Sequence, residues 1–314
     1  MRIIYLCPAS NAPSGGARTI YRHSEALNVM GCESAVVHPV AGFRCSWFRN
    51  NARVINREDV CADDYLVLPE HDAAEIAKGI GLTGFRYAVF VQNANLMLYK
   101  PVGLTDENIQ QAYRHADAIL SISADTAEMI SRNFPFATDK ILSARLSVDG
   151  AMFFHGDTKE KLISYMPRKL ADHADKVSAA LEQGLRGRWR LQAIDGLTDR
   201  EAAAILRRSR IFLSFSHVEG LGLPPIEAAM CGNFVIGYHG DGGKEYWAAP
   251  NFEEIAHGDI ASFIARVSAR AEGIDSGKSG IETLLPGMNR LAKTYSSEYE
   301  RADLAGFWRR ASSA

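Results

Sequence analysis

The chain has 314 residues, 47% hydrophobic and 23% charged, with 35 basic against 37 acidic side chains and a formal charge of -2. This is an ordinary globular composition. It excludes a global field that would draw nucleic acid or anionic lipid onto the whole surface, so any basic site must be local. The length exceeds what one core usually fills, so two domains are expected. In chain order, RIIYLCP reads as a strand, and NAPSGGARTIYRHSEALNVMG as a glycine turn and an amphipathic helix. On that helix Ala17, Ile20, Tyr21, Ser24 and Leu27 share a face. ESAVVHPV, DYLVLPE, RYAVFVQNANL, DAILSIS and KILSARLSVD follow as strands, with helices over DENIQQAYRHA and ADTAEMISRNF.

A polar, turn-rich linker, GAMFFHGDTK, interrupts the pattern, and the cycle restarts. KLISYMP, RWRLQAI, RIFLSFS and NFVIGYHG read as strands. ADHADKVSAALEQ, DREAAAILRRS, LPPIEAAMCG and FEEIAHGDIASFIARVSARAEG read as helical, as does the tail MNRLAKTYSSEYERADLAGFWRR. Strands alternating with helices imply parallel, doubly wound sheets. The reading divides the chain into an α/β domain over 1–152, a second over 158–285 and a helical tail over 286–314. Ligands of such sheets bind at the carboxyl ends of the strands.

Five scattered cysteines without a Cys-x-x-Cys pair, Cys7, Cys32, Cys45, Cys61 and Cys231, suit a reducing compartment and argue against structural zinc or a disulfide framework. The apolar run at the N-terminus is too short for an export signal. No apolar segment reaches the roughly 18 residues that span a bilayer. A cytoplasmic protein is expected.

One stretch concentrates chemistry, SHVEGLGLPPIEAAMCG over 216–232. Glu219 falls on a strand-to-helix loop, and Pro224 and Pro225 start the helix that carries Glu227 in its first turn. Between the two acids, Gly220, Leu221, Gly222 and Leu223 expose backbone N–H groups beside the positive end of that helix, a place for an anion or a hydroxylated ligand. Taken singly, Glu227 only complements the helix dipole and Glu219 is a solvated loop acid. Together, at this spacing, they point to a ligand. Upstream, MPRKLADHADKV sets Arg168, Lys169 and Lys176 around a strand end, compact charge of the kind a diphosphate requires. Gly15 and Gly16 open the first helix but lack a full Gly-x-Gly-x-x-Gly fingerprint, which disfavours a nicotinamide enzyme. GFRCSWFRNNARVINR interleaves Arg44, Trp47, Phe48 and Arg49. That loop suits a saccharide, a polyprenyl diphosphate headgroup or a membrane interface, and equally a half-buried loop with solvated charges.

EGLGLPPIE resembles the Glu-x7-Glu motif of GT-B glycosyltransferases, in particular the retaining enzymes of family 4. The resemblance implies two Rossmann-like domains facing across a cleft, with the tail packing back on the first. It implies that Glu219 meets the donor sugar, Glu227 the ribose, and the 220–223 backbone the sugar and diphosphate. Arg168, with Lys169 or Lys176, would bind the diphosphate. Pro167 stands where the family has glycine. Gly16 matches the family's loop near the donor phosphates, and Gly15 lies on the acceptor side. Asn93 stands where many relatives have histidine near the donor sugar, which implies a contact of Asn93 with a donor sugar hydroxyl. GYHGDGGKEYW resembles the family's glycine-rich segment, where Gly242 and Gly243 would shape backbone.

The function implied is transfer of a sugar from a nucleotide-diphosphate donor to a saccharide, lipid-linked or small-molecule acceptor. The absence of Asp-x-Asp matches metal-independent transfer without a resident cofactor. The acceptor-side expectation rests on Gly15, Arg44, Trp47 and Arg49. Expected partners are the nucleotide sugar and a carbohydrate or lipid-linked acceptor, with no nucleic acid, and a cytoplasmic location allowing peripheral contact at the inner membrane face. A non-catalytic nucleotide-sugar-binding partner in polysaccharide assembly, or a sugar-nucleotide epimerase on the same fold, stays open as the alternative.

Overall fold

Short runs rich in β-branched and aromatic residues, bounded by turn formers, make the strands of the first half. They are β1 Ile3–Leu6, β2 Ser34–Val37, β3 Val54–Ile55, β4 Tyr65–Pro69, β5 Arg86–Val91, β6 Ala118–Ser121 and β7 Ile141–Ser143. Between them lie α1 Gly15–Val29, α2 Ala73–Gly79, α3 Asp106–His115 and α4 Ala124–Asn133. Ser14, Thr105 and Ser123 cap α1, α3 and α4, each side-chain oxygen accepting from an amide of the first turn, which satisfies donors that have no partner inside the helix. The seven strands are parallel in the order β3-β2-β1-β4-β5-β6-β7. The chain winds outward in both directions from β1 and β4, so the topological switch point lies between their carboxyl ends.

The computed structural model describes residues 1–79 and 84–313. Its contacts divide into two units, Met1–Leu146 with Glu298–Ala314, and Ser147–Ser297. The second unit holds β8 Leu162–Tyr165, α5 Ala171–Gly184, β9 Arg190–Ala193, α6 Asp199–Arg208, β10 Ile211–Glu219, α7 Leu223–Met230, β11 Phe234–Asp241, β12 Phe252–Glu254, α8 Ile260–Asp275 and α9 Leu285–Thr294. Its sheet is parallel in the order β12-β11-β10-β8-β9, which puts its switch point between β8 and β10.

Side-chain alternation along parallel strands feeds a core on both faces. In the first unit Ile4, Leu66, Leu68, Val89, Val91 and Ile119 pack with Ala77, Ile109, Tyr113 and Ile130 of α2–α4. On the other face Phe90 stacks on His23 of α1 at 5.0 Å, and Tyr65 meets Phe307 of α10 (Ser297–Ser312) at 5.7 Å. Arg145 holds Asp303 of α10 at 2.6 Å, so the last helix is part of the first unit. In the second unit Ile163, Leu213, Phe215, Ile236 and Tyr238 pack with Val177 and Leu181 of α5 and Phe263 and Val267 of α8. The Lys159 ammonium sits 2.6 Å from the Ser209 carbonyl and 2.5 Å from that of Cys231, capping the ends of α6 and α7.

Several elements differ from the sequence expectation. Phe252–Glu254, read as helical, is an edge strand on β11, because three residues carry too little pattern to separate the two states. Residues 286–297, grouped with the tail, lie in the second unit, where Leu284 and Met288 are buried. KILSARLSVD yields only three strand residues, Ile141–Ser143. The two-residue β3 falls inside the arginine-aromatic loop. Among the described residues no helix is long and apolar enough to cross a membrane.

Candidate functional site

Three strands of the second unit, β8, β10 and β11, end around one point. β10 is nine residues long, and its pairing with β11 shifts between Ser216 and Glu219. Within that irregularity Val218 has φ +49, a costly conformation for a β-branched residue, about 1–3 kcal/mol. The distorted end carries Glu219 into register with Asp241 of β11. From the turn after β8, the Lys169 ammonium reaches Glu219 at 2.5 Å. This ion pair therefore spans the switch point between β8 and β10, where ligands of such sheets bind. Lys169 is 42% and Glu219 19% exposed, so the pair itself adds little to stability, about 0–1 kcal/mol.

The loop after Glu219 is held from three sides. Gly242 donates its N–H to the Glu219 carbonyl at 3.2 Å. A Cβ at Gly242 would lie 2.4 Å from the Gly220 carbonyl carbon and oxygen, so only glycine lets the two backbones approach this closely. The buried Tyr246 hydroxyl lies 2.8 Å from the Gly222 carbonyl oxygen and 3.1 Å from that of Leu221. Burial pushes that phenol well above its ordinary range, so it stays protonated as a donor. Gly222 takes a left-handed φ of +79 at the N-cap of α7, as glycine readily does. Leu221 is buried, anchoring the loop. Pro224 and Pro225 carry no N–H, so the Gly222 and Leu223 amides are the donors nearest the start of α7.

Glu227 is the fifth residue of α7, one turn further in than the first-turn position expected, because the helix begins at Leu223 ahead of the prolines. It is half-buried. Arg168 is exposed in the turn between β8 and α5. Lys176 points along α5 to Asp172 at 2.7 Å. Of the two candidate lysines, Lys169 is thus the one brought to Glu219. Gly243 behaves as Gly242 does, with a Cβ there 2.4 Å from the His239 carbonyl.

The remaining candidates belong to the first unit. Gly15 and Gly16 begin α1 after β1. The Gln92 side-chain amide donates to the Gly16 carbonyl at 3.3 Å. At the end of β5, Asn93 donates its backbone N–H to Glu70 at 2.9 Å, and its side-chain oxygen accepts from Asn95. Glu70, just past β4 and therefore at this unit's switch point, was not singled out from the sequence. An acid immediately after a strand, LVLPE, was the available signal. It is 6% exposed, and burial pushes its carboxyl up to about 7 against the backbone N–H groups of Asn93 and Gln92. Tyr246 was missed as well, although a tyrosine three residues after the glycine turn marks a buried hydroxyl in need of an acceptor.

In the arginine-aromatic loop, Trp47 and Phe48 are half-buried and turn inward. Their rings lie 4.5 Å apart, and Phe48 meets Tyr21 of α1 at 5.3 Å. Arg44 is engaged locally with Asn50 and the Ala52 carbonyl, and Arg49 is exposed. Among the described residues no cluster of three or more His, Cys, Asp or Glu side chains is arranged to hold a metal ion.

No protein-family model matches the chain, and no curated protein is detectably similar to it in sequence. Solved structures are similar in fold. The pneumococcal O-GlcNAc transferase GtfA in complex with UDP and GlcNAc superposes with a TM-score of 0.70 at 9% identity, covering 100% of this chain and 99% of that one. Anabaena HepE in complex with UDP-glucose gives 0.69 at 11% identity over 98% and 99%. The lipopolysaccharide outer core galactosyltransferase WaaB gives 0.66 at 13% over 98% and 100%. The chain spans only 57% of S. aureus TarM, to which it is similar at a TM-score of 0.60. With two Rossmann-like units of parallel sheet and these structural relatives, the chain has the GT-B fold of glycosyltransferases.

Proposed function

We propose that the protein is a retaining glycosyltransferase of the family 4 type, taking a sugar from a nucleotide-diphosphate donor held by the second unit. The observation that carries this reading is the Lys169–Glu219 pair across the switch point, with Glu227 eight residues on in the helix that starts beside it. The similarity to GtfA and HepE, whose structures contain UDP or UDP-glucose, makes a uridine diphosphate sugar the first donor to test. The acceptor is a saccharide, a lipid-linked sugar or a small molecule, met by the first unit around Gly15, while Gly16 and Asn93 keep the donor-side role that the resemblance gives them.

In this reading the Lys169–Glu219 contact is exchanged when the donor binds. Lys169 and Arg168 turn to the diphosphate, and Glu219 is released to accept hydrogen bonds from sugar hydroxyls. The Gly222 and Leu223 amides and the positive end of α7 lie beside the same negative charge. Glu227 accepts from the two ribose hydroxyls. Arg168 and Lys169 offset the charge that develops on the leaving phosphate, so the chain's own cations fill the role a metal fills elsewhere. The departing phosphate oxygen takes the acceptor proton, which leaves no step requiring a dedicated general base.

A thermal-shift screen against uridine, guanosine, thymidine and adenosine diphosphate sugars tests the reading. One of them should raise the melting temperature, and Glu227→Ala should abolish that rise. If none does and Glu227→Ala changes nothing, the donor site is wrongly assigned. Release of free nucleotide with added acceptors then separates a transferase from a binding protein or an epimerase.

A further inference from the structure

A second group of ionisable side chains stands at the carboxyl edge of the second unit's sheet, and the donor reading makes no use of it. His173 is the third residue of α5, His217 lies on β10 two residues before Glu219, and His257 lies between β12 and α8. The His257 ring stacks on that of His217 at 5.1 Å between centroids and meets that of His173 at 5.5 Å. Tyr238 of β11 backs the group, its ring 5.0 Å from His257 and its hydroxyl 3.2 Å from His173 Nδ1. Burial pushes that phenol up, so it stays protonated. His217 and His257 are exposed and His173 is half-buried, which leaves the cluster open to a ligand. Among the described residues no three such side chains are arranged to hold a metal ion.

We propose that His173, His217 and His257 form a proton-loading wall of the anion site, so that a diphosphate takes up protons from solvent as it binds and is held more tightly as pH falls from about 8 to about 6. Position selects the diphosphate. His173 follows β8 and His217 ends β10, the two strands whose carboxyl ends make the switch point. Lys169 and Arg168 supply fixed positive charge there, and Glu219 is the acid that Lys169 already holds. Protonating the rings alone sets like charges in contact, and His173 also sits at the positive end of α5. An anion offsets both penalties, so proton and anion favour each other's binding. The other acids at this edge are committed. Asp172 pairs with Lys176 at 2.7 Å, Asp241 with Lys244 at 2.9 Å and Glu254 with His239 at 3.2 Å, while Asp259 accepts the Ser262 amide at 2.9 Å. Hydrogen bonds from these partners hold Asp172, Asp241 and Asp259 below the ordinary carboxylate value, so none of the three changes charge in this range. The bound anion raises the imidazole pKa values above those of the free protein. The added affinity is therefore fully present below the free-protein values and lost as pH rises through those of the complex. This inference rests on the donor reading and adds a dependence on pH to it.

Calorimetric titration of the full chain with UDP-glucose tests the proposal, since this ligand bears no phosphate monoester, the group that ionises at about pH 6. Wild-type affinity should rise about fivefold or more from about pH 8 to about pH 6. At about pH 7, two buffers of different ionisation enthalpy should reveal net proton uptake on binding. His217→Gln with His257→Gln should flatten the slope and remove most of the uptake, and His257→Gln alone should remove part of it. Both rings are exposed, so an unchanged melting temperature should show the fold intact. Glu70 and Lys159 also titrate at about 7, but Glu70 belongs to the first unit and Lys159 caps the ends of α6 and α7. A slope that survives both histidine substitutions belongs to such groups and overturns the proposal, as does wild-type binding of equal strength across the range. Either result leaves the donor site standing. No binding of UDP-glucose at any pH overturns the proposal together with the uridine donor it rests on.

Discussion

Both units place a strand, a turn and a helix at a switch point, with glycines at or just before the helix start, yet the two connections are built to opposite standards. After β10, the loop of the second unit is fixed by Gly242 against the Gly220 backbone, by the Tyr246 hydroxyl and by the Lys169–Glu219 pair. After β1, Gly15 has nothing within 4 Å of a built Cβ, and Gly16 approaches only the Gln92 side chain at 3.4 Å. The acids differ in the same way. Glu219 is partly open beside its lysine, while Glu70 is sealed under Asn93 and holds its proton in about half of the molecules at pH 7. In the proposed reading, the rigid loop is the one preorganised for the donor, and the open one has room for a second substrate.

Substitution of the glycines breaks this contrast most sharply. Gly242→Ala drives a methyl group into backbone atoms 2.4–2.5 Å away, and denaturant unfolding should show a loss of about 3 kcal/mol or more. Gly15→Ala, at the open first position of α1, should stay within about 1 kcal/mol of wild type, on the stabilising side. Equal losses at the two positions would mean the loops are not built differently.

A smaller effect follows from Glu70. Its folded carboxyl titrates at about 7 against 4.5 for the ordinary group, so the folded state holds the proton more tightly. Stability contributed by the neutral acid is therefore lost as pH rises from about 4.5 through 7. Glu70→Gln should flatten that slope and, at pH 8, exceed wild type by about 1–3 kcal/mol in urea unfolding. A wild-type profile with no such slope would show that the carboxylate is not sealed.

The lysines sharpen the comparison at the second switch point. Lys169→Ala and Lys176→Ala should each alter stability by less than about 1 kcal/mol, since both ion pairs are exposed. They should separate in nucleoside diphosphate affinity, with a loss of about tenfold for Lys169→Ala and little change for Lys176→Ala. A larger loss at Lys176 would move the diphosphate away from the β8–β10 edge.

Much of this arrangement was legible in the sequence, and the reasons are local. Doubly wound sheets show because buried parallel strands are near-continuous apolar runs and because Ser14, Thr105 and Ser123 punctuate the helix starts. The Glu219–Glu227 stretch shows because glycine and proline have backbone meaning by themselves. What stayed hidden depends on burial and on distant partners. Phe252–Glu254 is a strand only because Val235–Gly237 lies beside it. For Trp47 and Phe48 the sequence leaves a ligand clamp and a half-buried loop both open, and only the contact of Phe48 with Tyr21 turns them inward. Glu70 and Tyr246 gain their character from desolvation, which no spacing rule encodes.

The central claim is that Glu219 and Glu227 grip two ends of one donor. Calorimetric titration with UDP and with a UDP-sugar, on wild type, Glu219→Gln and Glu227→Ala, tests it most directly. Glu227→Ala should weaken both ligands by about 10- to 100-fold, the loss of a charged hydrogen-bonding partner. Glu219→Gln should weaken the UDP-sugar without weakening UDP, whose diphosphate gains a lysine no longer held by an ion pair. Equal losses for both ligands at Glu219, or none at Glu227, would contradict the account.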